Sequence, residues 1–214
     1  MVKFVKNRID NLIELGLLNN KTILELGCVG MGKDDEIGGV NWIHGKAAKV
    51  AKKIVGLDIN KEGLEKVRHL GYDVRYQNVE KKFDLKEKFD VVLAEEILEH
   101  LNNVGKCMEN IRKHLKKNGL LIITTPHAQS VSFFLQRLIK NKITGVSITD
   151  HTHWYDENTL KTLLKRHNFK IKKIWYVHPR PIENKLKGYL TQMFFYLLPE
   201  RMGRNIICIA EKRD

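Results

Sequence analysis

The chain has 214 residues, of which 43% are hydrophobic and 29% are charged, values typical of a folded protein rather than a disordered one. This length suits one α/β domain with a sizeable core and leaves little room for two. Three cysteines stand far apart without a CxxC pair, which argues against a disulfide framework or a cysteine zinc site and favours a reducing, cytoplasmic setting. The first ten residues carry charge before any long apolar run, so neither a leader nor a transmembrane segment is expected.

The formal net charge of +13 suggests attraction to polyanions such as RNA or an anionic membrane surface. The lysines, however, are spread along the chain in segments such as KAAKVAKK, KKFDLKEK and HLKKNG, where acids are interleaved. This distribution favours a solvated, lysine-rich surface. The charge alone does not identify a partner, and the sequence does not indicate an oligomeric state.

Short apolar runs alternate with amphipathic helical patterns along the chain. A helix at Phe4 to Leu18 is predicted to cap a sheet whose strands are TILEL, KIVGLD, YDVRYQ, FDVVLA and GLLIITT. The helical patterns among them are WIHGKAAKVAKK, KEGLEKVRHL and VGKCMENIRKHLKKNG. Further helices are predicted at Val131 to Ile139 and Glu157 to His167, and β-rich segments at FKIKKIWYV and RNIICIAEK. The alternation predicts an α/β, Rossmann-like, doubly wound and mostly parallel sheet with helices on both faces.

The glycine-rich segment ELGCVGMGKDDE follows the first predicted strand. Gly27, Gly32 and Lys33 have the spacing of a phosphate-binding P-loop. A P-loop needs a hydroxyl after the lysine to ligate Mg²⁺, whereas Asp34, Asp35 and a third acid follow here and would repel a triphosphate. The segment therefore predicts a glycine loop for a different ligand.

The second predicted strand ends in an acid, Asp58, at the edge where an open parallel sheet binds ligands. An acid there can accept hydrogen bonds from both hydroxyls of a ribose, while glycines after the first strand let the backbone approach the ligand closely. The alternative is that Asp58 caps the next helix, a role that Asn60 fits as well. The first two strands together predict a nucleoside site.

Five segments in this order resemble the class I S-adenosylmethionine-dependent methyltransferases, in particular their small-molecule branch. ILELGCVGMG is similar to the first motif, VGLDIN to the second, and QNVEKKF lies where these enzymes contact adenine. FDVVLAEEILEHL resembles the fourth-strand motif and HLKKNGLLIITTPH the turn and fifth strand after it. The later HTHWYDENTLKTLLKRHNFKI matches the branch's late helix and strand, whereas a NAD-binding protein would share only the first two motifs.

The resemblance covers residues 20–177 and implies a single methyltransferase domain over residues 1–214. Residues 1–20 are then the capping helix, 20–177 the cofactor-binding core and 178–214 a segment that completes the sheet. The implied cofactor is S-adenosylmethionine. Its implied contacts are Glu25, Gly27, Cys28, Gly30, Asp58, Ile59, Asn78, Val79 (through its backbone) and Glu95.

Three features depart from the family pattern. Asn78 stands where Asp is frequent, although its carbonyl can also accept from the adenine amino group. The glycines are offset as if one residue were inserted, and the chain from Gly27 to Asp58 is longer than the pattern expects. The extra stretch KDDEIGGVNWIHG is interpreted either as a surface insertion or as a lid over the methionine end of the cofactor, with Trp42 and His44 reaching the substrate.

The segment EEILEH carries the predicted chemistry. Glu96, Glu99 and His100 are predicted on one face of the first turn of a helix leaving the fourth strand. His100 is the first candidate for a general base or metal ligand, with Glu96 beside it, and His127 after the fifth strand is a further candidate. Alternatively, Glu96 stabilises a helix N-terminus and the Glu-His pair has no metal.

A divalent cation such as Mg²⁺ or Mn²⁺ could bind at the same place. Its ligands would be Glu96, Glu99 and His100, joined by His151 or His153 from a later loop. The Glu-x-x-Glu-His spacing with the downstream DHTHW is similar to the small-RNA 3′-terminal 2′-O-methyltransferases, which use a divalent metal.

The resemblance implies transfer of a methyl group to a small-molecule, sugar or lipid-intermediate acceptor, most simply at a hydroxyl. One alternative is a divalent-metal-dependent RNA 2′-O-methyltransferase. Another is a non-catalytic nucleic-acid or partner-binding module on the same scaffold, against which the intact Asp58 argues. Trp154 and Tyr155 are expected to pack a lid, and MFFYLL to be a core strip.

Overall fold

A computed structural model describes residues 3–5, 8–30, 36–140, 150–179 and 199–213. The acids Asp34 and Asp35 of the glycine loop and the segment MFFYLL lie outside the described residues. None of the helices in these ranges combines the length and apolar character needed to cross a bilayer.

The described chain alternates strands and helices, as the sequence predicts. The strands are β1 Lys3–Val5, β2 Thr22–Leu26, β3 Lys53–Asp58, β4 Val74–Tyr76, β5 Phe89–Glu95, β6 Leu115–Pro126, β7 Phe169–Pro179 and β8 Asn205–Lys212. The helices are α1 Arg8–Glu14, α2 Ile43–Val50, α3 Lys61–His69, α4 Val104–His114, α5 Val131–Lys140 and α6 Glu157–Arg166.

The strands form one sheet in the order β1-β7-β8-β6-β5-β2-β3-β4. All neighbouring pairs are parallel except the two that involve β8, which runs antiparallel to β6 and β7. The late strand predicted at RNIICIAEK is β8, and it lies between β6 and β7. The predicted Rossmann-like, mostly parallel sheet is confirmed.

Helices cover both faces of this sheet. Neighbouring residues of β2 point to opposite faces, so that Leu24 packs in the cluster under α4 and α6 and Ile23 in the cluster under α1 and α2. Helix α3 contributes Leu64 and Val67 to a third cluster beside β4. The burial of these apolar faces is the main stabilising contribution to the fold.

Two predicted elements differ from the structure. The first helix begins at Arg8 rather than Phe4, and Lys3–Val5 is a strand that pairs with the edge strand β7. Helix α4 ends at His114, and β6 begins at Leu115 rather than after the turn. The turn residues form a bulge in β6, because the pairing with β5 jumps from Leu115 to Leu120.

The parallel strands β2, β3, β5 and β6 end at the same edge of the sheet. Their last residues are Leu26, Asp58, Glu95 and Pro126. The glycine loop, the acid after the second predicted strand and the EEILEH segment therefore meet at one edge, where open α/β sheets bind ligands.

The opposite edge carries an ion pair that leads to a stability prediction. Asp90 accepts hydrogen bonds from the backbone N–H and hydroxyl of Thr22, at 2.8 and 2.6 Å, and from Lys116 Nζ at 2.8 Å. Burial opposes ionisation, but the bonds from Lys116 and Thr22 outweigh it and lower the pKa of Asp90 to about 2. Since the folded pKa lies below its ordinary value, the stabilisation is complete above about pH 4 and is lost as the pH falls towards 2.

We expect Asp90→Asn to lower the free energy of unfolding by about 1–2 kcal/mol near neutral pH. The deficit relative to the wild type should shrink as the pH falls towards the folded pKa. Urea unfolding at a series of pH values measures both effects. Glu65→Gln, which removes an exposed ion pair with Arg68, serves as a control and should change the stability by less than about 0.5 kcal/mol. A pH-independent deficit for Asp90→Asn would contradict the assignment.

Candidate active site

The glycine loop leaves β2 in a conformation that needs glycine. Gly27 and Gly30 have positive φ angles of 78° and 74°. The Gly27 N–H donates to Leu57 O at 2.8 Å, which ties the loop to the end of β3. A side chain at Gly27 would also approach Ile97, because an added Cβ would lie 3.3 Å from its Cδ1.

We expect Gly27→Ala to destabilise the fold and to weaken cofactor binding, because it adds both backbone strain and a contact with Ile97. Gly71→Ala is the matched control, since Gly71 has a φ of 87° but nothing within 4 Å of an added Cβ. In each variant, the left-handed backbone conformation of the new alanine should lower the free energy of unfolding by about 1 kcal/mol. Only Gly27→Ala should also weaken binding of S-adenosylhomocysteine, as measured by calorimetry. Equal affinities of the two variants would contradict a cofactor role for the loop.

Asp58 fastens the loop to the edge of the sheet. Its Oδ2 accepts from the backbone N–H of Val29 at 3.0 Å, and its Oδ1 accepts from Asn60 N–H at 2.9 Å. The cap of α3 is Asn60, whose side chain accepts from Gly63 N–H. Asp58 is therefore not the helix cap, and its carboxylate lies between the glycine loop and the start of α3.

Trp42 and His44 are buried beneath the glycine loop. The Trp42 indole N–H donates to Cys28 O at 3.0 Å, and His44 Nδ1 lies 2.6 Å from Glu25 Oε2. Trp42 is 2% exposed, and the side chains of His44 and Glu25 are almost fully enclosed as well. The interpretation in which these two residues reach out from a lid to the substrate is wrong, because their polar atoms are turned inward against β2 and the loop.

The thiol of Cys28, in the middle of this loop, is also enclosed. Burial raises the pKa of this thiol far above its ordinary value, and the nearby charges of Glu25 and Asp58 act in the same direction. Cys28 is therefore a neutral packing residue, and its backbone carbonyl, held by Trp42, is the polar group that it contributes to the loop.

The segment after β4, where adenine contacts are predicted, is held by hydrogen bonds. Asn78 Oδ1 accepts from Glu80 N–H at 2.8 Å, which leaves its second lone pair for another donor. Asn110 on α4 donates to Val79 O at 2.8 Å and so fixes the backbone of Val79. Asn110 was not predicted, although a buried polar residue on the apolar face of α4 is the signal that marks it. Ile59, next to Asp58, is 64% exposed at the same edge.

The EEILEH segment is not the first turn of an α-helix. Glu96 has a φ of 49°, and only a short 3-10 helix at Leu98–His100 follows before α4 begins. The prediction that Glu96, Glu99 and His100 share one helix face is therefore wrong. The Glu96 carboxylate instead accepts from Asn205 Nδ2 at 3.0 Å, and its backbone N–H donates to Thr124 O. Glu95, the last residue of β5, is 9% exposed.

Three of the four predicted metal ligands nevertheless lie together. Glu99, His100 and His151 each offer a ligand atom, and these atoms lie within 4.8 Å of one another. Glu99 is 1% exposed and accepts from Thr125 Oγ1 at 3.2 Å. Glu96 is outside the group, although its charge acts on His151. We call Glu99, His100 and His151 the Glu-His-His cluster.

Hydrogen bonds orient the ligand atoms of the cluster. His100 Nδ1 lies 3.3 Å from Asp150 O, so this nitrogen is the donor and Nε2 can serve as an acceptor or ligand. Burial, helped by the nearby His100, lowers the pKa of His151, so its neutral form prevails near pH 7. His151 Nδ1 is buried and has no hydrogen-bond partner within the described ranges.

The chain around His151 is anchored to Glu99. The Glu99 carbonyl accepts from the backbone N–H groups of Thr152 and His153, at 2.8 and 3.1 Å. His153 itself bonds to Thr152 Oγ1 through Nδ1 and is not a member of the cluster. Backbone bonds thus bring His151, and not His153, beside Glu99 and His100.

The two aromatic residues after His153 have different environments. Trp154 packs edge-on against Phe133 of α5 and against the ring of His151, with centroids 5.5 and 5.4 Å apart. Tyr155 is 6% exposed and lies in the core under α4 and α6, where burial raises its pKa to about 12. The expectation that Tyr155 packs a lid is therefore wrong, whereas Trp154 links α5 to the cluster.

His127, the third catalytic candidate, lies apart from this cluster. Its Nδ1 donates to Gly203 O at 3.1 Å, and burial lowers its pKa. It lines a polar cavity of about 250 Å³, whose other walls include Asp156, Glu157 and Tyr176. No residue of the Glu-His-His cluster lines this cavity, and His127 is not a member of that cluster.

A Rossmann-like sheet with a glycine loop after β2 and an acid at the end of β3 has the features of a nucleoside-binding site. The chain is matched over residues 3–174 by the family model described as a methyltransferase domain. The chain therefore belongs to this family of methyltransferase domains.

Named relatives are ubiquinone biosynthesis O-methyltransferases. The chain is 28% identical to that of Bradyrhizobium diazoefficiens over 131 residues, which are 58% of this chain and 47% of that enzyme. It is 25% identical to that of Pelagibacter ubique over 179 residues, 79% of this chain and 70% of that enzyme. The chain thus spans about half the length of the first of these relatives.

Solved structures share the fold at low sequence identity. A magnesium protoporphyrin IX methyltransferase from Synechocystis PCC 6803, with bound S-adenosylhomocysteine, has a TM-score of 0.62 at 13% identity and covers 96% of this chain and 80% of its own. An S-adenosylmethionine-dependent methyltransferase from Mesorhizobium loti has a TM-score of 0.61 at 16% identity, over 95% and 100% of the two chains. These likenesses bear on the fold and leave the acceptor open.

Proposed function

We propose that the protein transfers a methyl group from S-adenosylmethionine to a hydroxyl of a small-molecule acceptor. The observation that carries the proposal is the Glu-His-His cluster at the carboxyl end of β5, the strand beside β2 and its glycine loop. A cofactor on the glycine loop and Asp58 would direct its methyl group towards β5. The relatives named as O-methyltransferases support a hydroxyl acceptor.

The proposed reaction is an in-line displacement. The acceptor oxygen forms a bond to the methyl carbon while the bond from this carbon to sulfur breaks, and the electron pair of that bond neutralises the sulfonium. Without a bound metal, the hydroxyl proton is transferred to a base, for which His100 Nε2 is suited because Nδ1 already donates to Asp150 O. Most of the rate enhancement would come from alignment of oxygen, carbon and sulfur.

We further propose that Glu99, His100 and His151 hold a divalent cation, and in that form His100 Nε2 is a metal ligand and not the base. A buried carboxylate and two imidazoles suit Mn²⁺, Fe²⁺ or Zn²⁺, and the enclosed Nδ1 of His151 is suited to a ligand role. When bound, such an ion would favour the ionised acceptor oxygen at neutral pH. In that case Thr125 and the Asp150 carbonyl orient the ligands Glu99 and His100.

The Glu-His-His cluster is also the observation that favours the second candidate, an RNA 2′-O-methyltransferase. Against this candidate, several lysines of the basic chain are engaged with acids on the surface. Such pairs include Lys53 with Glu87, Lys106 with Glu109, Lys113 with Asp84 and Lys172 with Glu211. These pairs reduce the free positive charge available to a phosphate backbone.

Transfer of a labelled methyl group distinguishes the two candidates. The protein is incubated with methyl-labelled S-adenosylmethionine and Mn²⁺, and with either a panel of hydroxylated small molecules or a short RNA with a free 2′-hydroxyl at its 3′ end. Label in a small molecule, with no salt-sensitive RNA binding, would support the proposal. Label in the RNA would move the assignment to the second candidate.

A further inference from the structure

The pair formed by His44 and Glu25 is an almost fully enclosed polar contact near the glycine loop. His44 is 0% exposed and Glu25 is 3% exposed, and Nδ1 of one lies 2.6 Å from Oε2 of the other. Glu25 precedes the glycine loop by one residue of β2, and His44 lies in the first turn of α2. The pair therefore joins the strand that carries the loop to the helix that follows it.

The imidazole has Glu25 as its single hydrogen-bonding partner in the described part of the chain, since its buried Nε2 has none. Around it are the rings of Trp42 and Tyr72, with centroids 5.4 and 5.2 Å away. An apolar side chain could fill this space without burying an unpartnered nitrogen, which costs free energy. What the imidazole adds at this position is thus its bond to the Glu25 carboxylate.

Trp42 holds the loop from the same segment. Its indole N–H donates to Cys28 O, one residue beyond Gly27. Residues 42–44 therefore make two polar contacts beneath the loop, one to the carboxylate before it and one to the carbonyl within it. The His44 contact fixes the carboxylate and the Trp42 contact fixes the loop, next to the place where the methionine end of the cofactor would lie.

We infer that His44 is a positioning residue for S-adenosylmethionine binding, and that it acts through Glu25. The Nδ1–H of His44 holds the carboxylate in one orientation, so its charge is directed to the cationic, ammonium-bearing end of the cofactor. The inference rests on the proposed placement of the cofactor on the glycine loop. It gives Trp42 and His44 a role in cofactor affinity instead of contact with the acceptor.

Two substitutions of His44 separate the hydrogen bond from the volume of the side chain. His44→Asn places an amide N–H near the position of Nδ1, whereas His44→Leu fills the space without a donor. We expect His44→Leu to weaken binding of S-adenosylhomocysteine about 10- to 100-fold by calorimetry, since a buried carboxylate loses its donor. His44→Asn should restore affinity to within about threefold of the wild type. Equal affinities of the Leu and Asn variants would overturn the inference.

A double-mutant cycle with Glu25→Gln tests whether His44 acts through Glu25. Glu25→Gln alone should weaken binding, and His44→Leu added to it should weaken binding little further, because both changes remove one interaction. Additive losses would overturn the inference. If His44→Leu does not fold, His44→Gln replaces it with the same expected result, because its amide reaches the Nε2 position. Failure of the wild type itself to bind S-adenosylhomocysteine would instead contradict the proposed function.

Discussion

We expect Asp58→Ala to abolish binding of S-adenosylhomocysteine at concentrations that saturate the wild type. Each carboxylate oxygen of Asp58 already accepts one backbone N–H, from Val29 or Asn60, and retains a lone pair for a ribose hydroxyl. Two hydrogen bonds to a charged acceptor contribute about 3–6 kcal/mol, which corresponds to a loss of roughly 10² to 10⁴ in affinity. The substitution also frees the Val29 N–H and loosens the glycine loop.

Two other variants make this result specific. Asp73→Ala removes the same charge from an exposed position directly before β4, where Asp73 pairs with Arg75. This variant should bind S-adenosylhomocysteine with unchanged affinity. Asp58→Asn keeps one carbonyl oxygen and should fall between Asp58→Ala and the wild type. Calorimetric titration measures all three variants. If Asp58→Ala bound S-adenosylhomocysteine with an affinity within about threefold of that of the wild type, the assignment of Asp58 as the ribose-binding residue would be wrong.

The second large effect is expected for Mn²⁺ binding to the Glu-His-His cluster. After treatment with a chelator, the wild type should bind one Mn²⁺ ion, and His151→Ala should weaken this binding by at least about tenfold, because an imidazole ligand is lost. Electron paramagnetic resonance of free Mn²⁺ measures the bound fraction directly. The affinity for S-adenosylhomocysteine should change little, because the ring of His151 packs against His100 and Trp154 and not against the described part of the glycine loop.

His153→Ala is the matched control for this experiment. His153 lies two residues from His151, bonds to Thr152 and stacks on Tyr155 with a centroid distance of 6.1 Å. Because it is outside the cluster, its loss should leave Mn²⁺ binding intact. Equal affinities of the two histidine variants, or no binding by the wild type, would contradict the metal site and leave His100 as a base without a metal.

The parallel strands could be predicted because each is a short apolar run closed by glycine or by a polar residue. Asp58 belongs to this group, since an acid that directly follows an apolar run is a local feature of the sequence. Strand β1 could not be predicted, because its three residues pair only with β7, more than 170 positions away. The start of β6 could not be predicted either, because KHLKK continues a helical pattern locally and only pairing with β5 makes Leu115 part of a strand.

In the candidate site, too, the residue types could be predicted from the sequence but their arrangement could not. The spacing of EEILEH indicated the correct residue types, but the left-handed backbone at Glu96 turns its side chain towards Asn205 and away from the cluster. His151 could be proposed as a ligand from the sequence, and His153 equally so. The choice between them depends on backbone hydrogen bonds to the Glu99 carbonyl, which join positions about 50 residues apart.

By itself, the sequence determined the fold class, the family and the position of Asp58 at the end of β3, because these depend on local periodicity and on the order of motifs. Only the tertiary structure decided which polar side chains meet. Trp42 and His44 turn inward because the Cys28 carbonyl and the Glu25 carboxylate offer partners to their ring nitrogens inside the core. Burial of this kind depends on the packing of elements that are distant in the sequence, so a local sequence pattern does not predict it.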